Sequence, residues 1–292
     1  MHRRSTAVAL LALSAASLLS ACSAHNGAPA DMAAGSSRAQ TTIPAGAAEV
    51  RARLDASPRH GEWAMVSAGS GDSVRAWVVY PERRDRAPVV IVVHEIFGLS
   101  NWVRGVADQL AADGFVAIAP DLLSGKGVPT GPDGDPVRDS ATAAIRTLNA
   151  ADVQRRIDAT ARYAMALPAA LPRYGIVGFC WGGGVSFAHA AHAPGLGASV
   201  VYYGVSPSRE ALANVRAPVL GLYGDNDARV NSTIAYADSA LRGTGRTYEH
   251  QIFPGAGHGF LRQQDGQNGA NLQASQAAWP RTVQWFRRHL RG

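Results

Sequence analysis

The sequence predicts an α/β domain built on a mostly parallel sheet with helices on both faces. Two observations carry this reading. Apolar segments alternate with amphipathic ones from Glu62 onward, and runs such as Pro88–Val93 are continuously β-branched. A strand covered by helices on both faces has no polar side, so its residues read as an unbroken apolar run. Strands alternating with helices imply crossover connections and hence parallel pairing. No second linker-like stretch interrupts the pattern, so one domain is expected over 50–292.

Taken in order, Glu62–Val66 and Val74–Tyr80 suit an opening β pair, and Pro88–Val93 a buried strand. Asn101–Asp113 has helical spacing and stops at Gly114, a residue that closes helices well. Phe115–Ala119 is the next strand. Asp121–Asp139 is rich in Gly, Pro and Asp and reads as a long irregular excursion, either a pocket rim or a mobile insertion. Then follow helix Asp152–Ala166, strand Tyr174–Phe179, helix Trp181–Ala193 and strand Ala198–Tyr203. The pattern repeats with Val219–Tyr223, Ser232–Leu241, Tyr248–Phe253 and a closing helix over Ser275–Leu290.

A chain of 292 residues with 47% hydrophobic and 17% charged residues can bury a full core. The formal net charge of +6 falls to +4 without Arg3 and Arg4, since residues 1–21 hold no acid. A mild excess without basic runs argues against nucleic-acid binding. His2, Arg3 and Arg4 precede a largely apolar run from Ala7 to Leu19, the layout of an export signal too short to span a bilayer. Leu19-Ser20-Ala21-Cys22 resembles the lipobox of bacterial lipoproteins. That resemblance implies a signal over 1–21, lipidation of Cys22, a flexible tether over 22–49 and a protein exported to the periplasmic side. Ser23 favours the outer over the inner membrane in a Gram-negative cell. An ordinary signal with an incidental Cys22 is the alternative. A monomer is expected.

With Cys22 acylated, Cys180 has no intramolecular partner, and a lone thiol in an oxidising compartment calls for a reason. It sits in Gly178-Phe179-Cys180-Trp181-Gly182, where a strand stops and a helix begins. This is the nucleophile-elbow pattern G-x-S-x-G with cysteine for serine, and small residues flank it because the turn is tight. A helix N-terminus aimed at the sulfur favours the thiolate. The glycines do not suit a phosphate cradle, because no Lys-Ser/Thr pair follows them. Asp225 follows the Val219–Tyr223 strand, and His258 follows Tyr248–Phe253 in Gly255-Ala256-Gly257-His258-Gly259. Nucleophile, acid and histidine in that order, each at a strand's C-terminal end, is the α/β-hydrolase order. His258 is expected to act as base and Asp225 to orient it; Asp227 is the rival acid, otherwise a turn or helix-capping residue.

His94-Glu95-Ile96-Phe97-Gly98-Leu99 follows Pro88–Val93, at the loop that supplies an oxyanion N–H in this fold. HEIFGL, GFCWGG, YGDND and GAGHGF occur in that order between Glu62 and Leu290, and together they resemble the dienelactone hydrolase family. The resemblance implies that Glu95 pairs with the resting thiol and takes its proton when substrate binds. It implies an oxyanion hole from the backbone N–H groups of Ile96 and Trp181, and that Arg262 holds a substrate carboxylate. A second family arginine could match Arg138 or Arg146. Trp181 stands where a smaller aliphatic residue is usual. The expected activity is hydrolysis of a small ester or lactone through a thioester, with no metal or organic cofactor. A binding module that has lost the chemistry, and a thiol redox protein built on Cys180, are the alternatives. His189 and His192 lie three apart on one helix but have no evident third ligand for zinc.

Overall fold

A computed structural model of the chain describes residues 42–291. The expected signal segment, Cys22 and most of the tether lie outside those residues. The end of the tether, from Thr42, belongs to the folded domain instead. Pro44 and Gly46 are buried, Gln264 donates from Nε2 to the Pro44 carbonyl at 2.8 Å, and Ala47 N–H donates to the Arg262 carbonyl at 2.9 Å. A short helix that the sequence did not announce, α1 (Val50–Asp55), follows and seats Val50 against Gly105.

Eight strands form one sheet. They are β1 (Gly61–Gly69), β2 (Asp72–Val79), β3 (Ala87–Val93), β4 (Val116–Pro120), β5 (Ala170–Phe179), β6 (Ala198–Tyr202), β7 (Val219–Asn226) and β8 (Tyr248–Gly257). Their order is β1-β2-β4-β3-β5-β6-β7-β8. The β1–β2 and β2–β4 pairs are antiparallel and the remaining neighbours are parallel. The sequence-derived fold class therefore holds.

The continuous run of β3 divides by alternation. Val89, Ile91 and Val93 face one apolar layer, whereas Val90 and Val92 face the other. The first layer is closed by α4 (Ala150–Met165), α5 (Trp181–His192) and α8 (Ile234–Gly243), through residues such as Ile157, Phe187 and Leu241. The second is closed by α2 (Asn101–Ala112) and α9 (Ala270–His289), through Trp102, Val106, Trp279 and Phe286. Two short helices, α6 (Arg209–Leu212) and α7 (Ala228–Asn231), follow β6 and β7.

The excursion after β4 packs on the domain through buried Leu123. It leads into α3 (Arg138–Ile145), a helix hidden from the sequence reading because it begins inside the Gly/Pro/Asp-rich stretch with Val137 as an uncapped start. Ala141 and Ile145 bury its inner face. Arg156 pins the root of the excursion. Its Nε and Nη2 grip Asp72 at 3.0 and 2.8 Å, and its Nη1 donates to the carbonyls of Leu122 and Ser124 at 2.9 and 3.1 Å.

Candidate active site

Cys180 ends β5 and caps α5 with φ 56° and ψ −117°, a conformation that costs a non-glycine residue roughly 1–3 kcal/mol. Glycines make the turn possible. A Cβ on Gly178 would lie 1.9 Å from the Gly182 carbonyl oxygen, and one on Gly182 would lie 2.4 Å from that of His94. The sharp turn lifts the thiol above the sheet edge, and Cys180 N–H donates to the Tyr202 carbonyl at 3.1 Å. Among the described residues, neither Ile96 nor Trp181 finds a protein acceptor for its backbone N–H.

His258 leaves the end of β8, and its Nδ1 lies 2.5 Å from Oδ2 of Asp227. This corrects the expectation of Asp225. The strand does not end at Tyr223 but runs on to Asn226, through a register shift between Gly224 and Asn226 against β8. The first residue clear of the strand is thus Asp227, which is buried, while Asp225 is exposed. Asp227 also keeps the capping role its position suggests, because its other oxygen accepts from Val230 N–H at 3.4 Å at the start of α7. Burial opposes charging of His258, but hydrogen bonds to Asp227 and Cys180 outweigh it and raise its pKa to about 9.

Glu95 departs from expectation in its partner. Its carboxylate accepts from Arg262 Nε at 2.6 Å in a largely buried ion pair, and no hydrogen bond to Cys180 is present among the described residues. A guanidinium offers two aligned donors and full charge where a thiol offers one weak donor, so the arginine wins the carboxylate. Burial still pushes the Glu95 pKa up, against the pull of Arg262, His258 and Arg138. His94, fully buried, holds this loop in place. Its Nδ1–H donates to the Glu95 carbonyl at 2.7 Å, and its Nε2 accepts from Leu122 N–H at 3.2 Å. Burial lowers its pKa, which keeps the ring neutral as these two bonds require.

Of the two arginines left open, Arg138 reaches the site. Its guanidinium lies 3.9 Å from the Phe97 ring, and that of Arg262 lies 5.1 Å from the same ring. Trp181 stacks on His94, with ring centroids 5.6 Å apart. The two helix histidines serve different partners, His189 bonding Tyr174 and Gln154, and His192 bonding Asp158.

These residues open onto a cavity of about 650 Å³ that Cys180, His258, Glu95 and Arg262 line together. Leu148, Val153, Val185, Ala188 and Val205 supply apolar walls. Arg229 stands at the rim, exposed and without a salt bridge among the described residues. The sequence reading missed Gln154, Arg229 and the 205–207 segment, which carry no motif and come from separate elements.

A nucleophile elbow on a parallel sheet, with an acid and a histidine delivered from the ends of β7 and β8, defines an α/β-hydrolase. The family model for the Dienelactone hydrolase family matches residues 74–290, and the chain belongs to that family. A Salmonella typhimurium protein named by inference as a carboxymethylenebutenolidase is 32% identical over 84% of this chain and 96% of its own length. A Bradyrhizobium protein named in the same way as a 2-oxo-3-(5-oxofuran-2-ylidene)propanoate lactonase is 31% identical over 79% of this chain and 95% of its own. The crystal structure of a Klebsiella pneumoniae protein assigned as a dienelactone hydrolase shares 30% identity with a TM-score of 0.67, covering 78% of this chain and 99% of that one. Dienelactone hydrolase from Anabaena variabilis, 23% identical with a TM-score of 0.60 over 80% of this chain and 99% of its own, has the same fold.

Proposed function

We propose that the chain hydrolyses esters or lactones through a Cys180–His258–Asp227 triad and a thioester intermediate. The observation that carries this reading is the Asp227–His258 hydrogen bond, with His258 lining the same cavity as Cys180 and the cysteine held at a strained elbow. Cys180 transfers its proton to His258 and its sulfur attacks the substrate carbonyl carbon. The negative charge that develops on the carbonyl oxygen is met by the backbone N–H groups of Ile96 and Trp181. His258 returns the proton to the leaving alkoxide as the C–O bond breaks, leaving a thioester. Water then gives a proton to His258 and attacks the same carbon, and collapse expels the thiolate with the carboxylic acid. Asp227 fixes the ring so that Nε2 faces the sulfur and stabilises the imidazolium at each stage.

Arg262 and Arg138, both beside Phe97 and Glu95, supply the positive charge for a substrate carboxylate. Such a carboxylate competes with Glu95 for Arg262. The leader and its Leu-Ser-Ala-Cys segment support export and a lipid anchor at Cys22.

The test is turnover of cis-dienelactone, neutral p-nitrophenyl esters and an acyl thioester by wild type and Cys180→Ala. Cys180-dependent hydrolysis favouring the acidic lactone is expected. Equal rates for the two proteins would overturn the mechanism.

A further inference from the structure

The cavity reaches well beyond the reacting atoms. Its lining follows α5 from Cys180 through Gly184 and Val185 to Ala188, and the facing wall comes from Val153 and Gln154 on α4. At the helical rise per residue, the level of His189 is roughly 13 Å along the axis from Cys180. At that level a buried relay ends in the cavity. Tyr174 Oη lies 3.0 Å from His189 Nε2, and His189 Nδ1 lies 2.6 Å from Gln154 Oε1.

The relay fixes how Gln154 faces the cavity. Burial holds His189 neutral, with a pKa lowered to about 4, so the ring carries one N–H. Oε1 can only accept, so that proton is on Nδ1, and Nε2 of the ring accepts from the Tyr174 hydroxyl. With Oε1 committed to His189, the amide nitrogen of Gln154 has no protein partner among the described residues. A neutral donor is therefore left facing the cavity beside the apolar walls of Leu148, Val153, Val185 and Ala188, with Ser206 and Arg229 lining the same cavity.

We propose that Gln154 is a specificity-determining residue. It selects esters whose long apolar substituent carries a hydrogen-bond acceptor, such as a ketone or ether oxygen, distant from the scissile carbonyl. This rests on the hydrolase reading above and adds to it the shape and polarity of the substrate. His189 is the positioning residue, acting through Gln154. The occupant that satisfies the donor gains one net hydrogen bond, and an analogue lacking the acceptor leaves it unpaired.

The experiment compares p-nitrophenyl alkanoates lengthened one carbon at a time from acetate. Each is paired with analogues of equal length ending in a methyl ketone or in a hydroxyl. In wild type, kcat/KM is expected to rise with length, and the ketone ester to exceed its plain partner roughly three- to tenfold once the chain spans the chamber. Gln154→Leu and His189→Phe should each bring that ratio to about one. Because both esters are read on the same preparation, loss of folded protein cancels. A ketone preference unchanged in Gln154→Leu would overturn the proposal, as would preference for the hydroxyl ester or a fall in kcat/KM with length. If no ester shows Cys180-dependent turnover, the hydrolase reading fails separately. The unreactive N-aryl amides of the same chains, titrated by calorimetry, then decide the role of Gln154. The same ratio in affinity supports it, and equal affinities overturn it.

Discussion

His258 Nδ1 and Asp227 Oδ2 are 2.5 Å apart, while Asp225, two residues earlier, faces solvent and offers only its backbone carbonyl to Asn231, at 3.2 Å. Asp227→Asn is expected to lower kcat by roughly 10³–10⁴-fold, because an amide can hold the wrong tautomer of the ring. Asp225→Asn should stay within a few-fold of wild type. Steady-state kinetics of the two variants on one ester checks this, and the reverse ranking would restore Asp225.

The raised pKa of His258 has a signed consequence for stability. Its folded value of about 9 lies above the ordinary 6.5, so folding favours the protonated ring. That contribution is complete below about pH 6.5 and is lost as pH rises through 9. Since Cys180 supplies part of the shift, Cys180→Ala should lower the midpoint of the His258 NMR titration. Its melting temperature should also fall less than that of wild type between these two pH values. Superimposable titrations in the two proteins would count against the thiol–imidazole contact.

The Glu95–Arg262 pair is a second point of test. Arg262→Ala leaves a carboxylate buried without its partner and is expected to cost about 3–5 kcal/mol. Glu95→Gln combined with Arg262→Met removes both charges and should recover most of that loss. Urea unfolding of wild type and the two variants measures the difference. A double variant no more stable than Arg262→Ala would show that the pair's charge balance is not what the fold depends on.

Arg156 links the opening hairpin to the excursion after β4, so Arg156→Met should destabilise the chain by about 1–3 kcal/mol. Faster amide exchange over residues 122–126 is expected with it. The Arg156 hydrogen bonds hold the Asp72 pKa below its ordinary value of 3.8. A depressed carboxylate contributes stability above its unfolded pKa and loses it as pH falls through the folded one. Wild type should therefore shed more of its stability in that acid range than Arg156→Met, as thermal melts at pH 5 and below it would register.

Strand alternation and the elbow glycines made the sheet, Cys180 and His258 legible, because both depend on local pattern. The family resemblance brought Glu95, Ile96 and Arg262 to the same place. The acid was misplaced for a physical reason. Asp225 and Asp227 differ by one strand period, and only the register shift of β7 against β8 decides which one clears the sheet. Partnership was equally hidden. Glu95 and Arg262 are 167 residues apart, and nothing in either segment says that the arginine outbids the thiol. The donor at Gln154 depends on a buried histidine thirty-five residues further along, which only the packing of α4 on α5 brings to it.

The bonds from Ala47 to the Arg262 carbonyl and from Gln264 to Pro44 fasten the leading stretch of the domain to the turn that carries the Glu95 partner. A pull on the chain from its N-terminal side is therefore shared between that turn and α2, where Gln109 Nε2 donates to Thr42 Oγ1 at 3.2 Å. Load on the leading stretch thus bears on the residue that holds Glu95, Arg262. A fragment cut at residue 50 would lack this fastening and leave the turn held from one side only.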